Sequence, residues 1–196
     1  MRTGRDPGRP DEAPSQRRVE RRWLPLFALL GVIAVVTGGG RRVSDAIAGP
    51  AEPAFDLTPA LRIHPAAGWV PEGFDQGARA EAVVLARGTA VLRIEAILED
   101  PRAPQDLLDG YVEQVLRQTF VDLTLGEPET ALVDGAPAVR AGYLGTTAQG
   151  VSVEGIVVAT VSPSGAAVVF DAGAPAGDLA WAAEDVVSMI RTAELR

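Results

Sequence analysis

The sequence contains no cysteine, no lysine and no asparagine, and its one histidine is His64. The lack of cysteine excludes disulfides, thiol nucleophiles, cysteine-ligated zinc and a lipid-modified cysteine. The lack of lysine excludes a P-loop and a Schiff-base lysine. All 18 basic side chains are therefore arginines. This bias is typical of GC-rich codon usage, so the number of arginines does not by itself indicate phosphate binding.

Charge is distributed unevenly along the chain. Residues 1–22 carry a net charge of +3, residues 49–196 carry nine arginines against twenty-one acidic residues, a net of −12, and the whole chain carries −8. A domain this acidic repels nucleic acid and anionic lipid headgroups. We therefore expect no nucleic-acid partner.

The longest apolar stretch runs from Trp23 to Gly40 and contains no charged residue. As an α-helix it would extend about 27 Å, against a hydrocarbon thickness of about 30 Å, so it predicts a single transmembrane helix over 23–40 with the lipid bilayer as its partner. Four arginines lie at 17–22 before the stretch and two lie at 41–42 after it. The positive-inside rule then places the N-terminus in the cytoplasm and the C-terminal domain outside the membrane.

Two other interpretations of this stretch stay open. The segment Ala46–Ala48 before Gly49 fits the small-x-small pattern of a signal-peptidase site, and cleavage after Ala48 would release the protein. The stretch would otherwise form a buried helix of a soluble protein. The long leading segment, and the two arginines between the stretch and Ala48, favour an uncleaved anchor.

Composition divides the remainder of the chain. Residues 1–22 are polar and rich in proline and glycine, which predicts a disordered cytoplasmic tail. The prolines of residues 41–60 predict a semi-rigid linker. The folded domain is expected over 61–196, a length that suits one hydrophobic core.

Apolar periodicity within 61–196 predicts short strands and two helices. Strands are expected at 61–64, 82–87, 90–98, 121–125, 130–133, 138–144, 151–161 and 166–170, whereas the prolines of 65–71 argue against a strand there. Helical spacing predicts one helix around 108–117 and another from Leu179 to Ile190. Alternation in the 90–98 strand places Arg93 and Glu95 on a solvent-exposed face. The runs at 155–161 and 166–172 are apolar almost without alternation, which predicts strands buried on both faces. Hairpin-short connections predict an α/β/α layered sandwich with a largely antiparallel sheet.

The domain resembles a known fold family. The motifs are Gly68-Trp69 between Pro65 and Pro71, the stretch LVDGAPAVRAGYLG at 132–145, and the closing SMIRTAEL at 188–195. In this order of strands and helices they are similar to the PsbP-like fold, and within it to the LpqN-type envelope lipoproteins of actinobacteria. The resemblance implies a non-catalytic binding or accessory module outside the membrane. Because this chain lacks the lipobox cysteine of that group, a transmembrane helix over 23–40 would replace the lipid anchor.

No catalytic, cofactor-binding or metal-binding residues are predicted. His64 precedes a proline, and no carboxylate or hydroxyl is placed near it by sequence, which favours an ordinary edge histidine. The segment 150–155 is one residue off a G-x-S-x-G nucleophile elbow and lies in a strand pattern. Acidic pairs such as Glu99-Asp100 lack calcium-loop spacing.

Two tryptophans, Trp69 and Trp181, are the candidate partner-contact residues. Trp69 is most simply a core or sheet-end aromatic. At about 100° per residue, Trp181 points about 170° away from the apolar stripe of the C-terminal helix, among Glu184, Asp185 and Ser188. This position predicts either an exposed indole that contacts a partner, or a displaced helix start that lets Trp181 pack on a loop.

The sequence therefore predicts a membrane-anchored, extracytoplasmic, non-catalytic module that binds a protein or cell-envelope component. The alternatives are an exported hydrolase and a small-ligand or lipid carrier released after cleavage at Ala48. A hydrolase requires polar groups that converge around His64 or an acid pair, a carrier requires an internal cavity, and a binding module requires an exposed apolar patch.

Overall fold

The structure is a computed structural model that describes residues 53–76, 80–98, 100 and 102–196. The predicted cytoplasmic tail, the transmembrane helix over 23–40 and the Ala48 cleavage site lie outside the described residues. Among the helices of the described residues, none is both long enough and apolar enough to cross a bilayer.

The described strands form two sheets in which every pairing is antiparallel. The large sheet has the order β3-β4-β5-β10-β9-β8-β6, with β7 also paired to β8, and the small sheet has the order β1-β2-β11. The strands are β1 (Phe55–Thr58), β2 (Leu61–Ile63), β3 (Val70–Gln76), β4 (Ala80–Arg87), β5 (Ala90–Ile97), β6 (Phe120–Leu125), β7 (Glu129–Val133), β8 (Ala136–Thr147), β9 (Ser152–Val161), β10 (Ala167–Pro175) and β11 (Glu194–Leu195).

The helices cover both faces of the large sheet. The first begins as α1 (Pro104–Tyr111), continues as a π-helical segment (Val112–Leu116) and ends as α2 (Arg117–Thr119). The second is α3 (Leu179–Thr192). Pro104 occupies the first turn of α1, where its missing N–H leaves no bond unmade. The start of α3 is stabilised by Glu154, whose Oε1 accepts hydrogen bonds from the backbone N–H groups of Gly177 (3.0 Å) and Leu179 (2.9 Å).

Two hydrophobic cores lie on opposite faces of the sheet. On β10, Val168 and Phe170 point into the core that α3 and the small sheet cover, whereas Val169 points into the core under α1. Helix α1 packs over β8, β9 and β10, and α3 packs against β5, β7 and β10. The predicted double burial of β9 and β10 and the largely antiparallel sheet are therefore confirmed, because each strand contributes alternate side chains to both cores.

The structure contains three strands that the sequence did not predict. Strand β1 lies inside the segment predicted as linker. It forms because its alternating FDLT sequence pairs with β2 despite the flanking prolines. Strand β3 contains Pro71, which has no backbone N–H to donate. The strand tolerates this because β3 lies at the edge of the sheet and its register shifts between Pro71 and Gly73. Strand β11 is only two residues long and forms through pairing with β2.

Candidate functional site

The two tryptophans identified from the sequence lie on either side of one ion pair. Trp69 precedes β3, and its Nε1–H donates to Oδ2 of Asp185 on α3 at 3.1 Å. Arg87, at the end of β4, donates through Nη1 to the same oxygen. We call Trp69, Arg87, Gly88, Trp181 and Asp185 the tryptophan corner. The Trp69 side chain is fully buried, so this hydrogen bond ties α3 to the edge of the sheet from inside the core.

Trp181 forms the outer side of the tryptophan corner. Its ring lies 5.4 Å from the guanidinium carbon of Arg87, a cation–π contact worth about 0.5–1 kcal/mol at an exposed position. Gly88 has φ +61, and a Cβ at Gly88 would lie 3.4 Å from the indole. Trp181 nevertheless remains 45% exposed. The indole is therefore fixed by the β4–β5 turn on one side and open to solvent on the other.

The position of Trp181 combines features of both predicted alternatives. Helix α3 begins at Leu179, where the apolar spacing placed it, so no displacement of the helix start is needed. The indole packs on the β4–β5 turn, where Arg87 lies over the ring and Gly88 has no side chain between the turn and the indole. That contact joins residues about ninety positions apart, so periodicity within α3 cannot reveal it.

The outer side of the tryptophan corner is acidic. Asp178 and Glu184 lie three residues before and after Trp181, which places them on the same side of α3. Asp178 accepts a hydrogen bond from the Thr89 hydroxyl at 3.0 Å. Glu184 is exposed and has no hydrogen bond or ion pair with another described residue. Since Arg87 is already paired with Asp185, Arg87 does not neutralise Glu184, and the nearest basic residue along the outer face of α3 is Arg191, seven residues further on.

A shallow groove lies along the outer face of α3, C-terminal to Trp181. It has a volume of about 400 Å³ and is lined by Ala183, Glu184, Val187, Ser188 and Arg191. Val187 is 53% exposed. The outer face of α3 thus carries two large exposed apolar side chains, Trp181 and Val187, with Glu184 between them.

His64 lies in a different part of the domain, on the small sheet. Strand β11 brings Glu194 to it, and His64 Nε2 lies 2.8 Å from Oε1 of Glu194. Arg196 Nη2 donates to the other carboxylate oxygen at 3.0 Å. The Arg196 hydrogen bond, followed by that of His64, lowers the pKa of Glu194. Among the described residues no hydroxyl hydrogen-bonds to His64 in the way that the serine of a hydrolase triad does.

A second polar network is buried between α1 and the sheet. Asp171 on β10 accepts a hydrogen bond from Tyr111 of α1 at 2.9 Å and another from Tyr143 of β8 at 2.8 Å. Both tyrosine rings are almost fully buried. Burial raises the pKa of both phenols well above the usual tyrosine range, and it also raises the pKa of Asp171, although the two hydrogen bonds oppose that rise.

Arg93 and Glu95 of β5 extend this network. Arg93 lies opposite Asp171 in the strand register, and its Nη2 donates to Oε2 of Glu95 at 3.0 Å. Glu95 is 1% exposed, and burial raises its pKa against the opposing effect of Arg93. Within the described part of the chain, three buried side-chain atoms lack hydrogen-bond partners, namely Arg93 Nε, Glu95 Oε1 and Gln114 Oε1. The prediction of a solvent-exposed face here is wrong, because alternation separates the two faces of a strand but does not show what covers them.

The GYLG motif of β8 also has a packing role. Tyr143 lies over Gly155 of the adjacent strand, where a Cβ would stand 2.2 Å from the tyrosine ring. Gly155 therefore allows the Tyr143 hydroxyl to reach Asp171. A signal for this network was present in the sequence, since a single aspartate inside the apolar run AAVVFDA needs a hydrogen-bond partner.

The described residues contain no group of three or more potential metal ligands. A second open groove, of about 330 Å³, lies beside Pro59, Leu98 and Ser164, and no residue of the tryptophan corner lines it. The buried network and His64 do not line either of these grooves.

The comparisons with known proteins identify a fold but no family. No family model and no curated protein matches the chain. Among solved structures, the chain is similar to LpqN of Mycobacterium tuberculosis, involved in cell envelope biogenesis, with a TM-score of 0.50 and 14% identity over 73% of this chain and 89% of that one. It is also similar to cyanobacterial PsbP (CyanoP) of Synechocystis, with a TM-score of 0.55 and 13% identity over 81% of this chain and 100% of that one.

A third similar structure comes from yeast. The Ran-binding protein Mog1p of Saccharomyces cerevisiae matches with a TM-score of 0.50 and 9% identity over 73% of this chain and 94% of that one. At such low identities these likenesses concern the fold alone. The predicted PsbP-like fold is confirmed at that level.

Proposed function

We propose that this protein is a non-catalytic binding or accessory module, anchored through residues 23–40, whose described domain lies outside the membrane and contacts a protein of the cell envelope. The observation that carries this proposal is the half-exposed Trp181, fixed on the outer face of α3 by Arg87 and Gly88. Rigid, partly exposed tryptophans are favoured at interfaces because they lose little entropy on binding and contribute a large apolar area.

The position of the tryptophan corner supports this proposal further. Trp69 is buried and acts through Asp185 as a support, so the contact with the partner falls to Trp181. Val187 and the groove beside it continue the apolar surface. That Mog1p, a Ran-binding protein, has a similar fold agrees with protein binding, and the likeness to LpqN, involved in cell envelope biogenesis, agrees with a role at the envelope.

The test of the binding surface is a crosslinking pull-down of the tagged full-length protein from membranes. Trp181→Ala is expected to reduce recovery of the crosslinked partner at least tenfold, as expected for a central tryptophan at an interface. Val121→Ala serves as the control, because Val121 is 72% exposed on β6, at the far edge of the sheet from β4. Equal recovery with Trp181→Ala and the unchanged protein would refute the tryptophan corner as the contact.

Membrane topology is tested separately. The untreated protein is expected to sediment with the membrane fraction, and protease added to intact spheroplasts is expected to digest the domain C-terminal to residue 49. A mature protein that begins at Gly49 and is found in the medium would instead establish the exported alternative.

A further inference from the structure

The outer side of the tryptophan corner favours one kind of partner. We infer that Trp181 and Glu184 together receive a lysine or arginine side chain from a basic segment of the partner protein. This inference rests on the proposed function, because it assigns a chemistry to the partner at the same surface.

The first observation is that two carboxylates flank the indole of Trp181. Asp178 and Glu184 stand one helical turn before and after Trp181. Glu184 is exposed and has no hydrogen bond or ion pair within the described part of the chain. A cation placed between the ring and Glu184 would interact with the π-face of the indole and with a carboxylate at once.

The second observation is the pairing of Arg87. Its guanidinium lies 5.4 Å from the indole centroid and also donates to Asp185. The structure thus already places a cation against this ring, and Asp185 neutralises that cation internally. Because Arg87 is neutralised, it does not repel a second cation that approaches the ring from the solvent side.

The third observation concerns the surroundings. Residues 49–196 carry a net charge of −12, so the domain attracts basic segments and repels both a second copy of itself and an anionic lipid surface. Val187, six residues beyond Trp181, lies about 9 Å further along α3 and is 53% exposed. A segment that combines a basic residue with an apolar residue therefore matches the order of groups along the helix.

The experiment uses full-length protein with ¹⁵N-labelled tryptophan in an uncharged detergent. The probe is a short synthetic peptide of lysines with one leucine, and the control peptide carries glutamate in place of lysine. The Trp181 indole N–H signal, assigned by its loss in Trp181→Phe, is expected to shift with the lysine peptide alone. The indole signal of Trp23, in the proposed anchor segment and outside the tryptophan corner, is assigned by its loss in Trp23→Phe and serves as an internal reference.

A matched pair of variants tests the charge. Glu184→Gln is expected to weaken binding of the lysine peptide about two- to fivefold, the range for one exposed ion pair, and added salt is expected to weaken it further. Glu113→Gln makes the same charge change on the π-helical segment, where Glu113 is 64% exposed, and is expected to leave binding unchanged.

Two outcomes would overturn the inference, namely equal shifts with both peptides, or equal affinities for the two glutamine variants. These outcomes differ from failure of the proposed function. If Trp181→Ala loses the crosslinked partner while Glu184→Gln and Glu113→Gln bind the lysine peptide equally, the surface is correct and the basic partner is wrong. If Trp181→Ala keeps the partner, the surface itself is wrong.

Discussion

Replacement of Glu95 by glutamine is expected to change how stability depends on pH. Glu95 is almost fully buried, it receives one hydrogen bond from Arg93 at 3.0 Å, and its Oε1 has no partner. Burial therefore disfavours the ionised form, and the pKa of Glu95 is raised although Arg93 opposes the rise. Glutamine has the same shape and can still accept the bond from Arg93, while Asp171 remains as a counter-charge to the guanidinium.

The direction in which stability changes with pH follows from the higher pKa of Glu95 in the folded state. The folded protein binds the proton of the Glu95 carboxyl more tightly than the unfolded chain does. The stabilisation from this proton is complete below the unfolded pKa of about 4.3 and is lost as pH rises through the folded pKa. Glu95→Gln removes this dependence. Its free energy of unfolding, relative to the unchanged protein, is expected to rise by at most about 1.4 kcal/mol per pH unit in that interval and then level off.

Denaturant unfolding of the full-length protein, followed by circular dichroism at a series of pH values, measures this difference. Glu113→Gln is the control, since it makes the same substitution at a carboxylate that is 64% exposed and paired with Arg117 on the helix surface. A difference for Glu95→Gln that stays constant, or that falls as pH rises, would refute the assignment of Glu95 as a buried proton-binding group. Asp171, whose pKa is also raised, keeps part of the pH dependence in both proteins.

Two predictions test the packing. Gly155→Ala would place a Cβ 2.2 Å from the Tyr143 ring and is expected to lower the free energy of unfolding by about 1–3 kcal/mol. The control is Gly142→Ala, whose Cβ would have a backbone oxygen at 3.8 Å as its nearest neighbour, and it is expected to change the free energy of unfolding by less than about 0.5 kcal/mol. Equal melting temperatures for the two variants would contradict this packing. Trp69→Phe removes the hydrogen-bond donor to Asp185 from a fully buried site and is expected to lower the free energy of unfolding by about 1.5–3 kcal/mol, measured by thermal unfolding. An unchanged melting temperature would show that the hydrogen bond does not hold α3 in place.

Local sequence patterns predicted most elements of the domain. The predicted helix start at Leu179 and the strands around 82–87 and 151–161 match the structure because their signals, apolar spacing and bounding glycines or prolines, act within a few residues. The missed strands β1 and β11 are only four and two residues long, and β3 contains Pro71, so local signals for them are weak or point the other way. Each is an edge or short strand whose pairing partner, rather than its own composition, determines that it forms.

The tryptophan corner was predicted only in part. Helical geometry correctly placed Trp181 away from the apolar stripe of α3, because that angle depends on sequence spacing alone. Its support by Arg87, and the bond from Trp69 to Asp185, join the ends of β3 and β4 to α3 across about a hundred residues. No local pattern encodes the meeting of those elements.

The sequence by itself determined the acidic charge of the domain, the chemistries excluded by missing cysteine and lysine, and the alternation that separates the two faces of each strand. Only the tertiary structure decided which polar residues are buried. Arg93 and Glu95 are on the polar face of an alternating strand in both descriptions, yet Glu95 is removed from water because tertiary packing covers that face. Burial depends on the packing of layers, which is a property of the whole fold, whereas periodicity describes one element at a time.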